Sequence, residues 1–63
     1  MPEPERRFTD AHGIRWRVRE LRPAGQPTAL YFESASAFRR VRDYPPDWRD
    51  LSTGELEILS LRS

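Results

Sequence analysis

Apolar residues and arginines alternate without a fault along Ile14-Arg15-Trp16-Arg17-Val18-Arg19. A period of two marks a strand with one dry face and one wet face. Ile14, Trp16 and Val18 are therefore expected to face a core, with Arg15, Arg17 and Arg19 lined up in solvent. Just upstream, Asp10-Ala11-His12-Gly13 suits a type I turn whose glycine enters the left-handed region, as a bulged hairpin loop requires. The pattern predicts a short strand around Phe8 and Thr9 that turns back through this loop. Residues 1–7 are rich in proline and charge and read as a disordered lead-in.

After the alternating strand, Arg22-Pro23-Ala24-Gly25-Gln26-Pro27 breaks any ladder and reads as a loop. Thr28 to Ser34 is rich in strand formers, with Leu30 and Phe32 on the core side and Tyr31 opposite. An antiparallel pairing with the preceding strand is expected. Ala35 to Tyr44 fits either state. As a strand it alternates Phe38, Arg40, Arg42 and Tyr44 against Ala37, Arg39 and Val41; as a helix it places Phe38 and Val41 on one side. The β-branched and aromatic content and the short link from Ser34 favour the strand.

Tyr44-Pro45-Pro46-Asp47 must leave regular structure. One helical turn at Pro46-Asp47-Trp48-Arg49 is expected to lay Trp48 over the sheet. The last element announces itself: Ser52 is a natural N-cap, Glu55 completes a capping box, and Leu51 with Leu56 makes a hydrophobic staple. The predicted helix runs from Thr53 to Leu61 and must dock, since so short a helix is not stable alone in water. Its apolar residues form two stripes, Leu56 with Leu59 and Ile58 with Leu61. One stripe can pack on the sheet, and Ile58 and Leu61 are then a candidate apolar interface.

These elements define an α+β fold over residues 8–63: a three- or four-stranded antiparallel β-meander with one C-terminal α-helix packed on it. A small SH3-like barrel closed by the helix is the alternative. Trp16, Val18, Leu30, Phe32, Trp48, Leu56 and Leu59 form the expected core.

Size and composition narrow the setting. Sixty-three residues make one domain, and below roughly 70–80 residues a single core seldom supplies more than ~3–5 kcal/mol. With no cysteine, neither a disulfide nor a thiolate metal site can add to that. Tight packing or self-association as a homodimer must serve instead. No apolar run approaches the ~18–20 residues of a membrane span, and Met1 to Arg7 has no apolar segment of the secretion-signal kind. A cytoplasmic location is the expectation.

All eleven basic residues are arginine. Residues 6–42 hold nine of them against Asp10, Glu20 and Glu33, a local charge of +6, while residues 43–63 carry −3. Such a dipolar layout steers an anionic partner to one end, or draws the two ends together within a fold or across a dimer.

Candidate chemistry is sparse. The one histidine, His12, falls in a tight turn. Glu55 with Glu57 and Asp47 with Asp50 read better as helix-end and solubility charges than as acid and base. Gly13, Gly25 and Gly54 are isolated, so no glycine-rich phosphate loop forms. No catalytic residue, metal ligand or cofactor is assigned, and no small-molecule substrate is expected because so small a domain has little volume for a pocket. The feature with mechanical content is the arginine row. Residues on one face of a strand lie about 6.5–7 Å apart, close to the spacing of phosphates along an extended strand. Arg15, Arg17 and Arg19, widened by Arg39, Arg40 and Arg42, form a candidate surface for an anionic partner, with Tyr31 and Tyr44 available for stacking. The same arginines also suit a solvated sheet face paired with Glu20 and Glu33, and they discourage edge-to-edge aggregation.

Phe8-x-Asp10-x-x-Gly13-x-x-Trp16-x-Val18, Leu30-x-Phe32-Glu33-Ser34, Arg39-Arg40, and Pro46-Asp47-Trp48 with Leu51 and Glu55-Leu56 form a layout over nearly the whole chain after residue 7. This layout resembles a class of short bacterial proteins to which no function is assigned. The resemblance implies a stand-alone domain with four strands, and it carries over no active residue. The functional expectation is a small non-catalytic binding or accessory module acting through protein–protein contacts. A nucleic-acid-binding protein using an arginine-faced sheet and a self-associating regulatory domain are the alternatives.

Overall fold

A computed structural model of the chain describes residues 5–62. Four antiparallel strands, β1 (Glu5–Thr9), β2 (Arg15–Leu21), β3 (Ala29–Glu33) and β4 (Phe38–Val41), form one sheet in the order β1-β2-β3-β4. A single 3₁₀ turn, Trp48–Asp50, leads into the helix α1 (Thr53–Ser60). The architecture is the expected meander with its C-terminal helix, and the sheet does not close into a barrel.

Local chemistry accounts for each junction. The β1–β2 loop closes with the Asp10 amide donating to the Ile14 carbonyl at 2.9 Å and the Gly13 amide to the Asp10 carbonyl at 3.0 Å. Gly13 sits at φ +79°, the left-handed region that a side chain disfavours. Asp10 organises this loop: Oδ1 accepts from the His12 and Ile14 amides, and Oδ2 accepts from the Trp16 indole at 2.9 Å. Residues 38–41 are strand rather than helix. A tight turn delivers them, in which the Ser34 amide donates to the Ala37 carbonyl and Ser34 Oγ accepts from the Ala37 amide. The capping box forms as expected, with the Glu55 amide donating to Ser52 Oγ and the Ser52 amide to Glu55 Oε1.

The helix lies on one face of the sheet. Every residue of the expected core is buried, joined by Phe8 and Val41, while Tyr44 and Leu51 pack against the cluster's edge. Trp48 is fully buried and its ring lies beneath the Arg49 guanidinium at 4.9 Å.

Two expectations need correction. Residues 5–7 already belong to a strand, upstream of the expected start at Phe8, since Glu5 pairs with Arg19 and Arg6 with Val18. The charges that suggest disorder have partners here: Arg6 donates to the carbonyls of Arg49 and Leu51, and Glu5 binds Arg7 and Arg17. The remainder of the expected lead-in, residues 1–4, lies outside the described residues, as does residue 63. Ile14 is 39% exposed and precedes β2 instead of facing the core, because the hairpin loop extends through it.

Candidate functional site: the open sheet face

Strand register decides which side chains share a face. Phe8, Trp16, Val18, Leu30, Phe32, Arg39 and Val41 stand on the helix side. The opposite side has no helix across it and carries two cross-strand rows, Arg7-Arg17-Glu33-Phe38 and Glu5-Arg19-Tyr31-Arg40, with Thr9 and Arg15 at one end. Five arginines against two glutamates give this face a charge of +3.

Four of the six candidate arginines fall on it. Arg15 is exposed and has no hydrogen bond or carboxylate partner among the described residues. Arg17 donates to Glu33 and lies 3.6 Å from Glu5, and Arg19 reaches the same Glu33 oxygen at 3.5 Å. Arg40 is exposed and donates to Gln26 at 3.3 Å. The hydrogen bond from Arg17 holds the Glu33 carboxyl below its ordinary value, and the same contact raises the Arg17 guanidinium.

Arg39 and Arg42 do not belong to the row. Arg39 pairs with Phe32 across β3 and β4 and so faces the helix, where its guanidinium lies over the Trp16 ring and donates to Ser60 Oγ at 3.1 Å. Arg42 is exposed but lies past the end of β4. Nor does β4 adjoin the β2 arginines, because β3 lies between them. The expected stacking role of Tyr44 also fails: its hydroxyl donates to Glu20 at 2.6 Å on the helix side. Glu20 is thereby engaged by Tyr44 and Arg49 rather than by the row. Tyr31 does stand on the open face but is buried, its ring 5.4 Å from that of Phe38.

Two members of the face escape the sequence reading. Arg7 is hidden by the disordered reading of residues 1–7. Phe38, 61% exposed, is a large apolar side chain amid the charges, and its alternation with Arg39 was the available signal. A third unexpected feature is an open concavity of about 620 Å³ at the Arg15 end, lined by Arg7, Arg15, Arg17, Glu33, Ser34 and Ala35 with the edges of Phe8, Thr9 and Trp16. It arises from unequal strand lengths, which composition does not express, so the small size of the domain does not preclude a cavity.

On the helix, Leu56 and Leu59 take the core stripe, while Ile58 and Leu61 are 65% and 69% exposed. Ile58 borders a smaller groove of about 210 Å³ shared with Pro45, Leu51, Glu55, Leu59 and Arg62. Among the described residues no cluster of three potential metal ligands occurs, and no helix is long and apolar enough to cross a membrane.

The fold and its surface thus define a small meander domain with one helix-covered face and one open, basic face. Comparison with protein-family models, curated proteins and solved structures finds no match.

Proposed function

We propose that this chain is a non-catalytic binding module that docks an acidic protein partner on the open sheet face. The observation that carries this reading is the exposed Phe38 on the edge strand of a face that carries five arginines and a charge of +3. Protein interfaces are enriched in arginine and aromatic side chains, and their energy concentrates in such anchors. Single-stranded nucleic acid instead favours an unbroken cationic track with several accessible rings. Here Glu33 of β3 takes up Arg17 and Arg19 of the β2 row, and Tyr31 is covered. Both features favour the protein partner over the nucleic-acid alternative.

The test is capture from cell extract, with and without nuclease, using the wild-type domain and Phe38→Asp. A protein retained by the wild type after nuclease and lost with Phe38→Asp supports the reading. Retention of nucleic acid that disappears with nuclease, leaving no protein bound, overturns it in favour of phosphate recognition. In that case affinity would fall steeply with salt, with a slope set by the phosphates contacted.

A further inference from the structure

The β1–β2 hairpin overhangs the rest of the sheet. Pairing of β2 with β3 stops at Arg17 and Glu33, because Ser34 turns the chain toward β4. Arg15 and Trp16 continue beyond that point, paired only with Thr9 and Phe8 of β1. The space where β3 would have continued is the concavity of about 620 Å³, within the range of small-ligand sites.

We infer that this notch binds a small organic oxyanion carried on a flat apolar body, such as an aryl phosphate or aryl carboxylate. The lining holds three guanidinium groups, Arg7, Arg15 and Arg17, against the single carboxylate of Glu33, a charge of +2. Glu5 stands just outside and takes Arg7 at 3.1 Å, and Glu33 takes Arg17. Arg15 is left with no counter-ion among the described residues. A guanidinium fork matches carboxylate and phosphate oxygens in a bidentate fashion, so an incoming oxyanion supplies what Arg15 lacks. The apolar requirement comes from the floor. Phe8, Trp16 and Ala35 complete the lining, and the 6% and 4% of Phe8 and Trp16 left exposed confine their apolar contact to the margin of the sheet.

The notch is formed by side chains that are already held. The Trp16 indole donates to Asp10, its ring lies 4.9 Å from the Arg39 guanidinium, and the Ser34 turn is locked by its own hydroxyl. Binding therefore needs no rearrangement of the floor. The notch shares Arg7, Arg15, Arg17 and Glu33 with the open face, so a bound oxyanion and a docked protein compete for the same arginines, while Phe38 itself lies outside the lining.

The test is an NMR titration of the isotope-labelled full chain with phenyl phosphate, with benzoate, and with neutral benzamide as the control. The inference predicts saturable shifts for both anions at Thr9, Arg15, Ala35 and the Trp16 indole N–H, and none for benzamide. Arg15→Gln should weaken binding about tenfold, the loss of one charge-assisted contact, and Arg22→Gln should leave it unchanged. The spectrum of each variant reports its fold directly; if Arg15→Gln is unfolded, Arg7→Gln makes the same comparison. Absence of saturable shifts, an equal response to benzamide, or shifts spread evenly over Arg22, Arg40 and Arg42 would overturn the inference. Because no protein partner takes part, these outcomes are separate from those of the capture experiment.

Discussion

The guanidinium of Arg39 lies 4.9 Å from the centre of the Trp16 ring while donating to the hydroxyl of Ser60 in α1. This one side chain bridges the edge strand β4, the hairpin strand β2 and the end of the helix. A cation over an indole contributes about 0.5–2 kcal/mol depending on its desolvation. The hydrophobic stem adds packing.

Arg39→Ser is therefore expected to destabilise the domain by about 1–2 kcal/mol. Arg40→Ser, one residue along and on the other face, should stay within about 0.5 kcal/mol of wild type, as exposed substitutions usually do. Denaturant unfolding of the two variants side by side makes the comparison, and equal effects would mean that the register of β4 is misassigned.

Trp48 fills the centre of the core, fully buried between the sheet and the chain entering α1. Truncating a buried tryptophan to alanine costs about 3–5 kcal/mol, comparable with the whole stability of a domain this small. Trp48→Ala should abolish cooperative melting followed by circular dichroism. Ser52→Ala removes only the N-cap acceptor and should cost about 1 kcal/mol, leaving a folded domain with a lower midpoint.

Much of this fold is legible in the chain. The period of two in β2 and the Ser52–Glu55 pair are local signals, and both sit where their chemistry requires. What stays hidden depends on distant partners. The order of Glu5 to Arg7 rests on carbonyls at Arg49 and Leu51, more than forty positions away. The side taken by Arg39 rests on its pairing with Phe32, because the alternation of Phe38 and Arg40 against Arg39 and Val41 does not say which pair faces the helix. The notch beside Arg15 follows from β3 ending earlier than β2 can pair, a matter of relative strand length. Arg15, Arg17, Arg19 and Arg40 were readable as a surface, and so was the pairing of Glu33 with the arginines; the places of Arg7 and Phe38 on it were not.

The pH dependence should have two limbs. Burial, and then the hydrogen bond to Glu20, pushes the Tyr44 hydroxyl from 10.0 up to about 12. The folded state thus favours the protonated phenol. Its contribution is fully present below about pH 10, and it is lost as the pH rises through about 12. Tyr44→Phe should flatten that alkaline limb in thermal melts taken across the range. On the acid side the Trp16 indole N–H holds Asp10 below its ordinary value, and Arg17 does the same for Glu33. Those contributions are present above the unfolded carboxylate range of about pH 4. They fade as the pH falls through the lowered folded values, so Asp10→Asn should shrink the acid limb.

Ile58 and Leu61 project from the helix away from the core. Changing both to Gln should leave the melting temperature of the dilute protein nearly unchanged. If a second copy covers this stripe, the wild type will melt at a temperature that rises with concentration, and the double variant will lose that dependence. Sedimentation velocity of both proteins gives an independent reading of the association state.

If the helix-free face serves binding and does not support the fold, its arginines can be removed without unfolding the domain. Denaturant unfolding of the Arg15→Ser, Arg17→Ser, Arg19→Ser triple variant tests it most directly. Exposed ion pairs contribute little to stability, so a cooperative transition with a midpoint close to that of the wild type is expected. Loss of cooperative unfolding in the variant would contradict it, showing that these arginines hold the sheet together.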